Sequence, residues 1–199
     1  MRAIVVPFRG DGAKQRVVAP PEVRTRLALA MLGDVVTACV ATAPTLVVTA
    51  DTEAAALALE LGADVRPDPG GGQGAAVETV LAGLPDRPVL VVNADLPCVV
   101  PHDLRTLAGA AELGALGLVE ALDGTTNALA LPRPAAFAPL YGPGSAGRFR
   151  GHAAALGLDA VAVASPNLVH DVDTLADLDR LAVRAGPRTQ AALAELSAA

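Results

Sequence analysis

Aromatic side chains are nearly absent from this sequence of 199 residues. With three Phe, one Tyr and no Trp, the core must be built mainly from Ala, Val and Leu. The same scarcity argues against single-stranded nucleic-acid binding, which relies on aromatic side chains that stack on bases. A formal net charge of −6 argues against a duplex-binding protein, which needs a basic face. We therefore expect no nucleic-acid partner.

Long apolar runs are also missing, and so is a cysteine pattern typical of metal binding or redox chemistry. No segment approaches the ~18 consecutive apolar residues that span a bilayer, and the start, MRAIVVPFRG, lacks the pattern of a signal peptide. The two cysteines, Cys39 and Cys98, have neither metal-ligand spacing nor a CxxC pairing. We expect two buried thiols in a soluble, cytoplasmic protein that has no membrane partner.

Short β-forming runs alternate with longer helical runs along the chain. This alternation predicts an α/β fold, with a mostly parallel, doubly wound, Rossmann-like sheet in a single domain over residues 1–199. Residues 187–199 are expected to form a terminal helix with a frayed end. Strands are predicted at 3–8, 45–51, 64–67, 88–95, 114–121, 126–131 and 159–165. Helices are predicted at 21–41, 52–63, 75–84, 101–113, 135–142, 148–157 and 174–185.

Polar, glycine-rich segments follow several predicted strands: RGDGAKQR, DPGGGQG, NADLP and HDVDT. Ligands of open α/β sheets bind beyond the carboxyl ends of the strands, so these segments should converge. In the first segment, Gly10 and Gly12 allow a tight turn, and Lys14 and Arg16 add positive charge, as in a phosphate-binding loop. A solvated surface loop is the alternative. The glycines of DPGGGQG could lie flat against a ligand or form a flexible loop.

Acidic residues stand at two of these strand ends. Asp95 ends the predicted strand with the most continuous apolar run, where a carboxylate is costly without a cation. Asp171 and Asp173 are two residues apart, so in an extended segment their side chains face the same side. Capping of the next helix by Asp173 or Thr174, with Asp177 in its first turn, is the alternative. Carboxylates and substrate phosphates commonly hold Mg²⁺, so we expect an ion shared by Asp95 and Asp173.

Two later segments, DGTTNAL (123–129) and YGPGSAGR (141–148), offer hydroxyl groups and glycine amides, with Arg148 close behind. Thr125, Thr126 and Ser145 could hold a small anionic acceptor, and a pair of ordinary turns is the alternative. His152 and His170 have no partner at a nucleophile–base spacing, and His102 follows a proline at a helix start. The sequence therefore argues against covalent catalysis.

The order of these segments resembles one family, the phosphoenolpyruvate or 2-phospholactate guanylyltransferases, which are similar to the molybdenum-cofactor guanylyltransferases. The matching motifs are AKQR at 13–16, RTRLALAMLGDVV at 24–36, ADLP at 94–97, DGTTNAL at 123–129, YGPGS at 141–145 and DVDTLADL at 171–178. The chain departs from the family pattern where GQG at 72–74 replaces the usual LN, Gln15 replaces Ser and Leu175 replaces Pro. It also lacks the usual Arg-His pair near His152.

The resemblance implies a sheet of the nucleotide-diphospho-sugar transferase type and an enzyme that transfers GMP from GTP to an acceptor with release of pyrophosphate. The acceptor would be phosphoenolpyruvate, which we favour, or 2-phospho-L-lactate, in biosynthesis of the deazaflavin coenzyme F-four-twenty. A homo-oligomer is compatible with this interpretation. Asp95 and Asp173 would hold Mg²⁺, and Lys14 and Arg16 would act with them as catalytic residues. The nucleotide would contact Gly12, Lys14, Gly70, Gly71, Gly72 and Gly74. The acceptor would contact Thr126, Gly142, Ser145 and Arg148.

Three other interpretations compete with this one. The chain could be a related nucleotidyltransferase with a molybdopterin or sugar-phosphate acceptor, which a nucleotide panel with pyrophosphate release would reveal. It could be a nucleotide-binding module without chemistry, although both acids and the basic loop are kept. A sugar-nucleotide glycosyltransferase is the third, but such enzymes normally carry their metal-binding DVD motif in mid-chain.

Overall fold

A mostly parallel sheet of seven strands organises the residues that the computed structural model describes, which are 3–10 and 20–197. The strands are β1 (Ala3–Pro7), β2 (Thr45–Thr49), β3 (Asp64–Pro67), β4 (Val89–Val92), β5 (Leu116–Glu120), β6 (Thr126–Leu131) and β7 (Ala160–Ala162). Their order is β3-β2-β1-β4-β6-β5-β7, and β6 runs antiparallel to both of its neighbours. The predicted fold class is confirmed.

Helices cover both faces of this sheet. They are α1 (Pro21–Val40), α2 (Thr52–Glu60), α3 (Gln73–Leu81), α4 (Pro101–Glu112), α5 (Ser145–Ala155), α6 (Leu175–Leu181) and α7 (Pro187–Ser197). Helices α1, α2 and α4 form one buried cluster with the sheet, and α3 and α5 form a second one on the other face. Strands β1, β2 and β4 are buried along their whole length, as expected of strands that are covered on both faces.

Three predicted elements differ from the structure in ways that bear on the site. The helix predicted at 135–142 is wrong, because only a short 3-10 turn forms at Pro134–Ala136 and Pro139 lacks the N–H that a continuing helix needs. Helix α3 begins at Gln73, two residues earlier than predicted, after Gly72 with φ of +102°. Strand β4 ends at Val92, so Asp95 lies beyond the strand and not within it.

The C-terminal helix α7 is joined to the rest of the fold at its start. The buried Asp34 carboxylate of α1 accepts hydrogen bonds from the backbone N–H groups of Arg188 (3.1 Å) and Thr189 (2.8 Å). The N–H of Gly186 donates to the carbonyl of Pro97, at 2.7 Å, in the loop after β4. A Cβ atom on Gly186 would lie 2.3 Å from Cγ of Asp34, so this close approach requires glycine. The helix thus supports the loop that contains Asp95.

Both cysteines are buried with free thiols, as predicted. Burial raises the pKa of Cys39 and also that of Cys98, because desolvation disfavours a thiolate. Within residues 3–10 and 20–197, no helix has the length and apolar character that a membrane crossing requires.

Candidate active site

Three aspartates from distant parts of the chain meet at the carboxyl edge of the sheet. Asp95 follows β4, and Asp171 and Asp173 precede α6. One carboxylate oxygen of each lies within 4.8 Å of the other two, and all three residues are half-buried. Such closely spaced like charges favour a cation between them, and carboxylate oxygens are the ligands that Mg²⁺ prefers. This donor set therefore fits Mg²⁺, and it adds Asp171 to the predicted pair of Asp95 and Asp173.

The local backbone explains why Asp171 and Asp173 point to the same place. Val172 between them is fully buried, and residues two apart in an extended segment project to the same side. The N–H of Val172 donates to the carbonyl oxygen of Asp95, at 3.2 Å. This hydrogen bond joins the two acidic segments directly.

Helix α6 starts immediately after the acidic segment, and Thr174 caps it. The Thr174 hydroxyl accepts a hydrogen bond from the N–H of Asp177 (3.2 Å), and the Asp177 carboxylate accepts one from the N–H of Thr174 (2.9 Å). Burial favours a higher pKa of Asp177, but hydrogen bonds from Thr174 and Asp173 and the charge of Arg180 bring that pKa below its usual value. Thr174, not Asp173, is therefore the N-cap, and Asp177 in the first turn supplies the carboxylate of the capping box, as predicted.

The glycine turn before α3 has the backbone that only glycine adopts easily. Gly70, Gly71 and Gly72 have φ of +83°, +81° and +102°. Gly74 is needed for another reason, because its Cβ would lie 2.7 Å from Cβ of Pro139. A cavity of about 380 Å³ lies beside this turn. Its lining residues are Gly71, Gly72, Gln73, Gly74, Ala75, Glu78, Pro139 and Tyr141.

Side-chain amides connect the glycine turn to the strand ends, and sequence reasoning missed them. Gln73 donates from Nε2 to Oδ1 of Asn93, at 2.7 Å, and Asn93 donates from Nδ2 to the carbonyl of Thr126, at 3.1 Å. Asn93 stands two residues before Asp95. A polar amide directly after the apolar run of β4 was the sequence feature that could have identified it.

The predicted acceptor-binding residues lie together at the starts of β6 and α5. Thr126 and Ser145 are 2% and 0% exposed, and the Ser145 hydroxyl donates to Oγ1 of Thr126 at 3.0 Å. Gly142 has φ of +113° in the turn before α5. These residues therefore share one corner of the carboxyl edge, and their role in binding an acceptor stays a prediction.

The guanidinium of Arg148 binds backbone carbonyl groups of that same turn. It donates from Nη2 to Leu140 (2.8 Å) and Tyr141 (3.2 Å), and from Nη1 to Pro143 (2.5 Å). The side chain thus fixes the shape of the turn that contains Gly142. This arrangement gives Arg148 a structural task that the sequence did not suggest.

The predicted cationic residues Lys14 and Arg16, together with Gly12, lie outside the described residues. The start of their segment is described, and it lies against the glycine turn. Nη1 of Arg9 is 4.0 Å from the position that a Cβ on Gly72 would take. Gly10, with φ of +60°, packs so closely on Asp51 that a Cβ would lie 2.5 Å from Oδ2. Arg9 is therefore a cation near the turn that the sequence interpretation did not include.

Solved structures share this architecture. A nucleotide-diphospho-sugar transferase from Desulfovibrio desulfuricans aligns with a TM-score of 0.79 at 16% identity, over 99% of this chain and 95% of that one. A nucleotidyl transferase from Methanothermobacter aligns with a TM-score of 0.63 at 17% identity, over 91% and 95%. At these identities the likeness establishes the fold alone.

Sequence comparisons identify the family. The family described as Guanylyl transferase CofC like matches residues 1–194. The chain is 39% identical to a phosphoenolpyruvate guanylyltransferase of Streptomyces coelicolor, over 97% of this chain and 96% of that protein. It is 36% identical to one of Nocardia farcinica, over 98% and 92%. The protein therefore belongs to the CofC-like guanylyl transferase family, and the resemblance drawn from its motifs is confirmed.

Proposed function

We propose that this protein transfers GMP from GTP to phosphoenolpyruvate and releases pyrophosphate, as a step in biosynthesis of the deazaflavin coenzyme F-four-twenty. The observation that supports this most strongly is the cluster of Asp95, Asp171 and Asp173. Each offers one carboxylate oxygen, and these three oxygens lie within 4.8 Å of one another. Membership of the guanylyl transferase family and the names of the relatives support it as well.

The reaction is a phosphoryl-centre displacement. A phosphate oxygen of the acceptor attacks the α-phosphorus of GTP, and the bond from that phosphorus to the oxygen bridging to the β-phosphorus breaks, so pyrophosphate leaves with the electron pair. The acceptor phosphate is already ionised near pH 7, so no general base is required. This agrees with a site built from carboxylates and amides. Catalysis then depends on positioning and on neutralising charge.

Asp95, Asp171 and Asp173 would hold Mg²⁺. A bound Mg²⁺ would supply positive charge that offsets the negative charge of the α-phosphate. The aspartates contribute hard oxygen ligands from two segments that the Val172–Asp95 backbone hydrogen bond keeps together. We propose that Lys14 and Arg16 bind the triphosphate, and that Gly12 and the turn of Gly70, Gly71, Gly72 and Gly74 contact the nucleotide.

The acceptor would bind at the corner formed by Thr126, Gly142 and Ser145. The Thr126 and Ser145 hydroxyls are buried and bonded to each other, so these residues would form the inner wall of the corner. The half-buried backbone of Gly142 would offer hydrogen bonds to a small phosphorylated carboxylate. Arg148 supports this corner through carbonyl groups of residues 140, 141 and 143. We therefore assign it the task of shaping the acceptor site. A direct contact between its guanidinium and the acceptor would need new geometry.

Mass spectrometry of reaction products tests the proposal. GTP and Mg²⁺ are incubated with phosphoenolpyruvate, 2-phospholactate and 3-phosphoglycerate in competition, and pyrophosphate is measured in parallel. We expect mainly the GMP adduct of phosphoenolpyruvate, with one pyrophosphate formed per adduct. A preference for 2-phospholactate would correct the acceptor. Binding of Mg²⁺–GTP without pyrophosphate from any acceptor would contradict the proposed enzyme activity.

A further inference from the structure

We propose that Asn127 is a positioning residue, which holds the segment carrying Asp171 and Asp173 in register with Asp95. The inference rests on the proposed function, since it concerns how the three carboxylates are brought to one metal ion. Asn127 follows the proposed acceptor residue Thr126 in sequence, but its side chain contacts the segment before Asp171.

The backbone places Asn127 at the carboxyl edge of the sheet. Asn127 is the second residue of β6, and its carbonyl accepts a hydrogen bond from the N–H of Asn93, at 3.0 Å, just beyond β4. Because β6 runs antiparallel to β4, its first residues lie beside the end of β4 and beside Asn93, which stands two residues before Asp95. The main chain of Asn127 is therefore fixed to the element that carries the first carboxylate.

The side chain of Asn127 reaches the segment that carries the other two carboxylates. It is 1% exposed, and Nδ2 donates to the carbonyl oxygens of Leu168 (2.9 Å) and Val169 (3.1 Å). Both amide hydrogens are used, so the two carbonyl groups determine the direction of the side chain. These acceptors stand three and two residues before Asp171.

A second contact holds the same segment from the other side. Val172, between the two aspartates, donates its N–H to the carbonyl of Asp95. The segment is thus bound at residues 168–169 by β6 and at residue 172 by the loop after β4. Residues 163–174 contain no helix or strand, and within them the N–H groups of Leu168 and Val169 donate to the carbonyl of Ser165 in a single turn. Contacts with other segments therefore fix the position of this segment relative to Asp95. Mg²⁺ demands near-ideal octahedral geometry, and a loosened segment would present Asp171 and Asp173 less accurately.

A purely structural role would have a different consequence. A buried hydrogen bond that serves only the core changes the stability of the fold but leaves the metal affinity of the folded protein unchanged. A positioning role changes the metal affinity of the folded protein itself. Metal binding measured well below the unfolding midpoint therefore separates the two roles.

The experiment uses the full chain and Mn²⁺ alone as the probe, with free Mn²⁺ measured by electron paramagnetic resonance. Asn127→Leu removes both donors and keeps most of the volume, and Asn127→Ala removes both. Thr45→Val is the matched control. It removes a hydrogen bond from the buried Thr45 side chain to the carbonyl of Ala43 (2.9 Å), at the start of β2 and away from the carboxyl ends of the strands. Asp95→Asn tests the metal site independently. Unfolding in EDTA gives the stability of each variant.

We expect both Asn127 variants to bind Mn²⁺ at least about tenfold more weakly than the unsubstituted chain, as is usual when the groups that orient metal ligands are removed. Thr45→Val should bind it normally. Binding within twofold of the unsubstituted chain by a folded Asn127 variant would overturn the positioning role alone. Failure of both variants to fold would assign Asn127 to the core and would overturn it too. If the unsubstituted chain does not bind Mn²⁺, or if Asp95→Asn binds it unchanged, the metal site is overturned and this inference with it.

Discussion

Val172 and Asp95 are joined by a backbone hydrogen bond of 3.2 Å between segments that lie far apart in the sequence. Because Val172 stands between Asp171 and Asp173, the bond brings two carboxylates to the side of a third. This main-chain hydrogen bond therefore brings the two acidic segments together, and the three aspartate side chains then form the cluster.

Asp171 is expected to be a third metal ligand alongside Asp95 and Asp173. Replacing it by Asn keeps the size but removes a charge that favours Mg²⁺. We expect Asp171→Asn to raise the Mg²⁺ concentration for half-maximal pyrophosphate release by about tenfold or more. Asp179→Asn is the control, because Asp179 is exposed on α6. An unchanged Mg²⁺ requirement in Asp171→Asn would remove it from the ligand set.

Gln73 is expected to order the glycine turn for nucleotide binding, since its amide joins the start of α3 to Asn93. A neutral hydrogen bond contributes about 1 kcal/mol, so Gln73→Leu should raise KM for GTP about fivefold. The KM for the acceptor should change less. Thr79→Ala is the control in the same helix, because the Thr79 hydroxyl donates only to the carbonyl of Ala75. An equal rise of KM for GTP in both variants would mean that helix stability, not Gln73, is responsible.

Gly74 is expected to be intolerant of any side chain. A Cβ would lie 2.7 Å from Cβ of Pro139, so Gly74→Ala should lower the free energy of unfolding by about 1–3 kcal/mol, as overpacking does. Gly147→Ala in α5 is the matched control, because no atom lies within 4 Å of its added Cβ. It should stabilise the protein by up to about 1 kcal/mol. Urea unfolding measures both, and equal effects would contradict the close packing.

The Cys39 thiol is expected to be unreactive in the native protein. It is 0% exposed, and burial raises its pKa, which disfavours the reactive thiolate. A thiol reagent at pH 8 should label Cys39 only after denaturant is added. Rapid labelling under native conditions, located by mass spectrometry of peptides, would show that α1 opens locally.

The sequence was sufficient for most of the architecture because its β-forming and helical runs alternate cleanly. Helix α1 begins at Pro21 as predicted, with Pro20 as its N-cap, and Gly62, with φ of +87°, follows the end of α2. The prediction failed at 135–142, where small and apolar residues are compatible with a helix. Pro139 was a local signal against that helix. The guanidinium of Arg148 also binds carbonyl groups of the chain in an irregular turn there, a contact that the sequence alone does not reveal.

The candidate site could also be predicted only in part from the sequence. Asp95 was recognisable because a carboxylate after a buried strand is costly without a cation. Asp173 was recognisable because it stands two residues from Asp171, on the same side of an extended segment. The tasks of Asn127 and Gln73 were not recognisable, because each depends on a partner in a distant segment, at Leu168 and at Asn93. The acidic cluster and its motifs were therefore visible in the sequence, whereas the amides that hold it were visible only in the fold.

The most direct test of the acidic cluster compares pyrophosphate release from GTP, Mg²⁺ and phosphoenolpyruvate by Asp95→Asn and Asp64→Asn. Asp64 is exposed at the start of β3, at the opposite edge of the sheet, and undergoes the same chemical change. Removal of an electrostatic group at a reacting centre typically costs 10²–10³ in rate, so Asp95→Asn should lose at least roughly 100-fold in kcat while its melting temperature shows an intact fold. Asp64→Asn should retain full activity. Turnover by folded Asp95→Asn at the rate of the Asp64→Asn control would contradict the assignment of these carboxylates to catalysis.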